Sequence, residues 1–445
     1  MFKTIQKLLI AAKTSVFEIN QKYEKADIEL NISIQTLALN IFANKLILYG
    51  FLASDFIKLD GVAFLCSLLG SNYKSSDIVF FSSRILFLIV HNGAEIQNIV
   101  YSHYVPNLIS QSILFLNNDI ATANILSRFS PELATAEALK ASYIIAMKYE
   151  THLKDDSSDK PNTTLNLFGN TLNIKDLHPF KSLLKTTLDF ILLSNHQNRK
   201  EKLLDYALQF LFIIPIVLNQ EYSDLWTPEP NNMLVVDSLL LNLETSLVTY
   251  ANLDNKSASQ LKVEDNLSFF TLVCILGRFV LASDQVKTHV YDFIFKKRNF
   301  SALPETGNSA RAILTRIISL PFQSELSLAV GDFLYVTCDS NTGKVIEMLG
   351  FGNTIGYFKT RNLFLSINLD EITEKYGQNH LTGVNFNPVI GAEETSTGLD
   401  KALEDMTDEE KEKEAERLFV LFDKLNKTGI IKVEPQFAEN SFKKE

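Results

Sequence analysis

The chain predicts an all-α fold: a solenoid of stacked helical pairs, then a linker, then one C-terminal amphipathic helix. Three observations predict it. Apolar residues recur at helical spacing over most of the 445 residues, and several segments are apolar on both faces, as the inner layer of a helical array must be. Glycine (17) and proline (11) are scarce against average usage of about 7% and 5%, which disfavours many-turned β-sandwiches and glycine-rich nucleotide folds. Polar breaks at 221–232, 252–266 and 298–309 begin 31 and 46 residues apart, within the range of two- or three-helix repeats. Helical pairs that lean on their neighbours are the natural solution for so much two-sided hydrophobicity.

Along the chain, residues 1–13 carry Lys3 and Lys7, but their apolar stretch is only 8–12 before the helical pattern continues. This reads as a first helix rather than a signal peptide, which needs a longer apolar region and a cleavage site. Apolar helical segments follow at 34–52 and 61–69, and then at 80–90, where Phe80, Phe81, Ile85, Leu86, Phe87, Leu88, Ile89 and Val90 leave almost no polar face. A polar break at 154–163 precedes further segments at 183–193, 203–218, 234–250, 267–281, 290–295 and 312–319. No single pattern repeats legibly, so the repeats are degenerate. At about 40–47 residues each, residues 1–361 hold roughly eight or nine units. Residues 362–406 form a linker with turn segments, marked by Asn387-Pro388 and Gly391. Residues 407–445 open on a capping box, Thr407-Asp408-Glu409-Glu410, and continue with Ala415, Leu418, Phe422 and Leu425 at heptad-like spacing, joined by Phe419 and Leu421, before Gly429 ends the helix.

The net charge is −10, from 42 basic and 52 acidic residues, with 46% hydrophobic and 21% charged side chains. That is a globular profile. The acidic balance removes the driving force for nucleic acid or anionic lipid. No run of apolar residues reaches the length of a membrane span, which needs about 18 or more. Cys66, Cys274 and Cys338 are far apart in apolar runs, as expected of buried reduced thiols in a cytosolic protein.

The motifs of chemistry are broken. In Gly350-Phe351-Gly352-Asn353-Thr354-Ile355-Gly356 the third glycine falls one residue late for a dinucleotide loop. Gly343-Lys344 lacks the preceding glycine of a phosphate loop, and Asp339-Ser340-Asn341 opens like a calcium loop but has Lys344 at the sixth position and Gly350 at the twelfth. The seven histidines are scattered, so neither metal nor cofactor nor catalytic residue is expected. A binding scaffold is the remaining reading. Arg84, a lone charge among apolar helical residues, is either a snorkelling or salt-bridged arginine or an anchor for a partner's carboxylate or helix C-terminus. Residues 404–416 hold eight acids against Lys411 and Lys413, either a solvated helix face or a steering charge for a basic partner. The stripe of Leu418, Phe419, Phe422 and Leu425 either packs back on the solenoid or docks on a partner. Thr407, with acids at the next three positions, is a candidate phosphorylation site besides its capping role.

Three blocks in the C-terminal third carry a family resemblance. The first is Glu325-Leu326-Ser327-Leu328-Ala329-Val330-Gly331-Asp332-Phe333-Leu334, running on into Gly350-Phe351-Gly352-Asn353; the second is Asn387-Pro388-Val389-Ile390-Gly391; the third is Met406-Thr407-Asp408-Glu409-Glu410-Lys411-Glu412 with Leu418 and Leu421-Phe422-Asp423-Lys424-Leu425. In order and spacing they resemble the synembryn family, exchange factors and chaperones of heterotrimeric G-protein α subunits (Gα). Upstream, Arg84-Ile85-Leu86-Phe87-Leu88 is similar to a family R-L-L-F-L segment.

The resemblance implies an armadillo/HEAT-like superhelix that binds GDP-loaded or nascent Gα, promotes GDP release and holds the empty subunit until GTP enters. It implies a grip on the Gα C-terminal helix by the solenoid and on the Ras-like domain by the C-terminal segment, with no catalytic residue of its own. It also implies a cytoplasmic location, with recruitment to the inner face of the plasma membrane through Gα. Some animal members carry phosphorylated residues in a strongly acidic tract before the second block. The corresponding 366–376 has only Asp370, Glu371 and Glu374. The competing expectation is an armadillo-type peptide-binding adaptor without exchange activity.

Overall fold

Serine and asparagine caps set where several helices begin. Ser75, Ser283, Ser309, Ser324 and Asn341 each accept a bond from the backbone amide three residues on, satisfying one of the donors a helix start leaves orphaned. The structure, a computed structural model, describes residues 25–71, 75–118, 127–156, 168, 172–194, 201–216, 233–250, 266–320, 324–364, 386–393 and 407. These are mostly helical.

The described helices fall into two rows. The first holds α1 (Lys25–Leu48), α4 (Ser76–His91), α6 (Pro131–Asp156), α8 (Glu201–Ile213), α10 (Leu267–Ala282) and α13 (Glu325–Thr337), each packed on the next. The second holds α3 (Gly61–Leu69), α5 (Val105–Asn118), α7 (Lys181–Ser194), α9 (Leu234–Leu247) and α12 (Ala310–Ile318), again each on the next. Chain neighbours α3–α4, α5–α6, α7–α8, α9–α10 and α12–α13 cross between the rows as pairs. The short α2 (Leu52–Lys58) joins α1 to α3, and α11 (Asp284–Phe295) packs on α10 and α13. The fold is all-α apart from one two-stranded hairpin among the described residues.

Two first-row helices, α4 and α10, are covered on both sides, whereas α1 at the start of the row leaves Ile34, Leu37, Ile41, Ile47 and Leu48 exposed. In α4 every residue from Ser76 to Val90 is buried except Arg84, Phe87 and Leu88. In α10, Phe269, Thr271–Gly277, Phe279 and Val280 are all buried. The N-terminus of α6 is tied to α4 through Asp77, whose carboxylate accepts from the amides of Arg128 (3.1 Å) and Phe129 (2.8 Å), while the Phe129 ring stacks on Phe80 at 3.9 Å. One expected helix stops early: the 203–218 segment ends at Ile213, because Pro215 disfavours helical geometry in the residue before it. Residues 234–250 turn into a 3-10 segment, Val248–Tyr250.

The far end of the array is closed by α14 (Thr342–Leu349) and α15 (Phe351–Thr360), with β1 (Phe386–Asn387) and β2 (Ala392–Glu393) paired antiparallel, Phe386 opposite Glu393 and Asn387 opposite Ala392. The expected turn signals do form the hairpin turn. Asn387 accepts from the Val389 amide through its side chain (2.9 Å) and from the Gly391 amide through its carbonyl (2.9 Å). The turn then seats on α15: the amides of Phe351 and Gly352 donate to the carbonyls of Pro388 and Val389, both at 2.9 Å. These are first-turn amides with no partner inside their own helix. The hairpin also receives the Arg298 guanidinium on the Gly391 carbonyl and donates the Glu393 amide to Phe300 (2.8 Å). Part of the 362–406 stretch is therefore bound to the helices.

Candidate functional site

The glycine-bearing run 350–356 is not a ligand loop in this fold. Its first three residues are the seat of the hairpin. Gly350 sits at φ +80° and Gly391 at φ +68°, backbone regions that side chains rarely adopt, and their backbones touch. A Cβ on Gly391 would fall 2.6 Å from the Gly350 nitrogen. Asn353 holds the same corner by donating to Glu305 (2.9 Å).

The first block has an equally concrete role. Asp332 is fully buried on α13 and accepts from the Tyr357 hydroxyl (3.0 Å) and from Nε of Arg361 (2.9 Å), with Arg361 Nη2 on its second oxygen. Burial pushes its carboxyl above the usual range, while Arg361 and Tyr357 pull the other way. Gly331 makes the room: a Cβ there would meet the Tyr357 ring at 2.3 Å. These residues fix α15 against α13.

Two cation–aromatic patches lie on successive first-row helices. At α8 and α10, the Arg278 guanidinium stacks 4.8 Å from the Phe212 ring, donates to the Phe212 carbonyl (2.6 Å) and also binds the Phe168 carbonyl. Burial lowers its pKa to about 10. That cation is committed to capping the last turn of α8.

The patch at α4, α6 and α8 is different. Arg84 leaves the buried helix α4 with 38% of its side chain exposed, lies 5.8 Å from the Phe80 ring, and approaches Glu137 of α6 only to 3.9 Å. Among the described residues it makes no hydrogen bond. Lys140, one turn beyond Glu137, donates to the same Glu137 oxygen at 2.7 Å and sits 4.7 Å over the Tyr206 ring of α8. Glu137 is nearly buried, with 10% of its side chain exposed. Two cations thus share one carboxylate oxygen on a protein of net charge −10. The patch thus carries one more cation than carboxylate, and Arg84, whose side chain makes no hydrogen bond among the described residues, is the less committed of the two donors. Sequence singled out Arg84 but not Glu137, Lys140 or Tyr206. The pair at i and i+3 is an ordinary helix-surface spacing, and only the packing of α6 on α4 and α8 gives it meaning.

Of the other expected site residues, Thr407 is exposed, whereas Leu418, Phe419, Phe422 and Leu425 lie outside the described residues. All three cysteines are free. Burial pushes Cys66 up to about 11 and Cys274 up to about 12, and raises Cys338, so the thiols stay protonated near neutrality. His289 meets Asp237 at 2.6 Å, bridging α11 to α9 in an open groove of about 700 Å³ lined also by Met233, Leu234, Thr288 and Asp292. Among the described residues no three His, Cys, Asp or Glu side chains converge as metal ligands. No described helix is long and apolar enough to cross a membrane.

The family model Ric8, described as guanine nucleotide exchange factor synembryn, matches residues 3–440. A "Chaperone Ric-8" from Drosophila pseudoobscura pseudoobscura is 33% identical over 162 residues, 34% of this chain and 28% of that protein. A "Chaperone ric-8" from Caenorhabditis elegans is 27% identical over 232 residues, 48% of this chain and 40% of that protein. A "Chaperone Ric-8A" from Pongo abelii is 23% identical over 372 residues, 80% of this chain and 64% of that protein. Each alignment thus spans less than two thirds of the curated relative's length.

Proposed function

The chain belongs to the synembryn family, and from that premise we propose that it is an exchange factor and folding chaperone for heterotrimeric G-protein α subunits. The two rows of paired helices support an armadillo/HEAT-like solenoid, the form of scaffold that presents a long surface to an extended or helical segment. In this reading the C-terminal helix of Gα lies along the first row, with Arg84 as an anchor. Residues 407–445, through Leu418, Phe419, Phe422 and Leu425, reach the Ras-like domain.

The mechanism is differential binding. A factor that binds the nucleotide-free state of Gα more tightly than the GDP state must, by linkage, weaken GDP by the same factor. GTP then competes the factor away. No side chain of the factor takes part in bond making, and neither metal nor cofactor is required. The work is done in the cytoplasm and, through Gα, at the inner face of the plasma membrane.

The observation that carries this reading is the family match along nearly the whole chain, with the under-bonded Arg84 cation as its structural support. Gel filtration with GDP-loaded Gα tests it. The expected result is a co-eluting complex that dissolves on adding a non-hydrolysable GTP analogue. A complex indifferent to the analogue would favour a peptide-binding adaptor without exchange activity.

A further inference from the structure

We propose that Glu137 is a built-in stand-in for the partner's carboxylate, which the partner displaces from Lys140 and Arg84 when it binds. The inference rests on the proposed role as a Gα-binding protein and deepens it by naming the chemistry of the contact. The described site has two cations and one carboxylate. Lys140 is bonded to that carboxylate at 2.7 Å, and Arg84 approaches the same oxygen at 3.9 Å, too far for a hydrogen bond. One donor fork is therefore under-used. Around it stand Phe80, 5.8 Å from the Arg84 guanidinium, and Tyr206, 4.7 Å from the Lys140 ammonium. These rings hold the cations without neutralising them.

The complement to this patch is a carboxylate at the end of a helical or extended segment. It would take a bidentate grip from Arg84 that Glu137 does not take. Glu137 has a cost and a use. It keeps Lys140 ordered when no partner is bound, and it repels any carboxylate that cannot satisfy both cations together. It sets a threshold for acceptance, which is a specificity device.

The experiment uses the full chain and a synthetic peptide matching the last helix of Gα, in free-acid and C-terminally amidated forms, with affinities measured by calorimetry. Wild-type protein is expected to prefer the free acid. Glu137→Gln is expected to bind the free acid about fivefold more tightly, about 1 kcal/mol, since the part-exposed Arg84 and Lys140 have been relieved of their internal competitor, with the amide unchanged. Arg84→Ala is expected to erase the difference between the two peptides. Weaker binding of the free acid by Glu137→Gln would overturn the proposal and make Glu137 a residue that positions Lys140. So would equal affinity of wild-type protein for both peptides. If Glu137→Gln does not fold, Lys140→Met decides: a reduced acid-over-amide ratio supports the proposal and an unchanged ratio refutes it. Whole Gα is titrated in parallel. Binding of whole Gα without acid preference defeats this inference alone, whereas no binding of Gα at all defeats the reading it rests on.

Discussion

Replacing Asp332 by alanine lowers the stability of the array by about 3–5 kcal/mol, the cost of removing one member of a buried, hydrogen-bonded charge pair. The carboxylate is fully buried and serves two groups at once, the Tyr357 hydroxyl and the Arg361 guanidinium. The loss leaves the Tyr357 hydroxyl without its acceptor inside the α13–α15 interface and Arg361 without its counter-ion. Tyr357→Phe, which removes only one neutral donor, is expected to cost about 1 kcal/mol. Urea denaturation of the three proteins checks the order. A Asp332→Ala midpoint no lower than that of Tyr357→Phe would mean that the ion pair contributes nothing beyond the ring packing.

Gly391→Ala is expected to unseat the hairpin, at a cost of about 3 kcal/mol. The left-handed backbone charges about 1–2 kcal/mol to a residue with a Cβ. The clash with Gly350 then forces apart the two bonds from Phe351 and Gly352, each worth about 0.5–1.5 kcal/mol. The new Cβ has no soft neighbour to push, since the nearest atoms are the Gly350 backbone at 2.6 and 2.8 Å and Pro304 at 2.8 Å. Hydrogen exchange reads the result at two amides: Phe351 and Gly352 should lose protection while α4 and α10 keep theirs. Protection unchanged at those two amides would show that the hairpin does not depend on this contact.

Much of the helical array was legible because its signal is periodic. Segments such as 80–90 and 267–281 are so apolar that only coverage on two sides satisfies them, and both lie in the buried first row. Helix α6 was not singled out. Its buried residues include Ala134, Ala138, Ala141 and Ala146 beside Leu139, Ile144, Ile145 and Tyr149, and the short alanines dilute the hydrophobic signal. Asn387-Pro388 and Gly391 announced a turn. Nothing local announced that its carbonyls would cap α15, because that contact joins residues far apart in the chain. Arg84 stood out as a charge in an apolar run, yet its partners Glu137, Lys140 and Tyr206 belong to two later helices. The residues of the first two resembling blocks are explained by packing: Gly331, Asp332, Gly350 and Gly391 hold α13, α15 and the hairpin together.

The proposed exchange function requires that the chain open Gα rather than merely hold it. Release of bound GDP from purified Gα, followed in real time at increasing concentrations of this protein, tests that requirement most directly. The expected result is a release rate that rises with concentration and saturates as the complex fills. A rate unchanged at concentrations where a complex forms would contradict it.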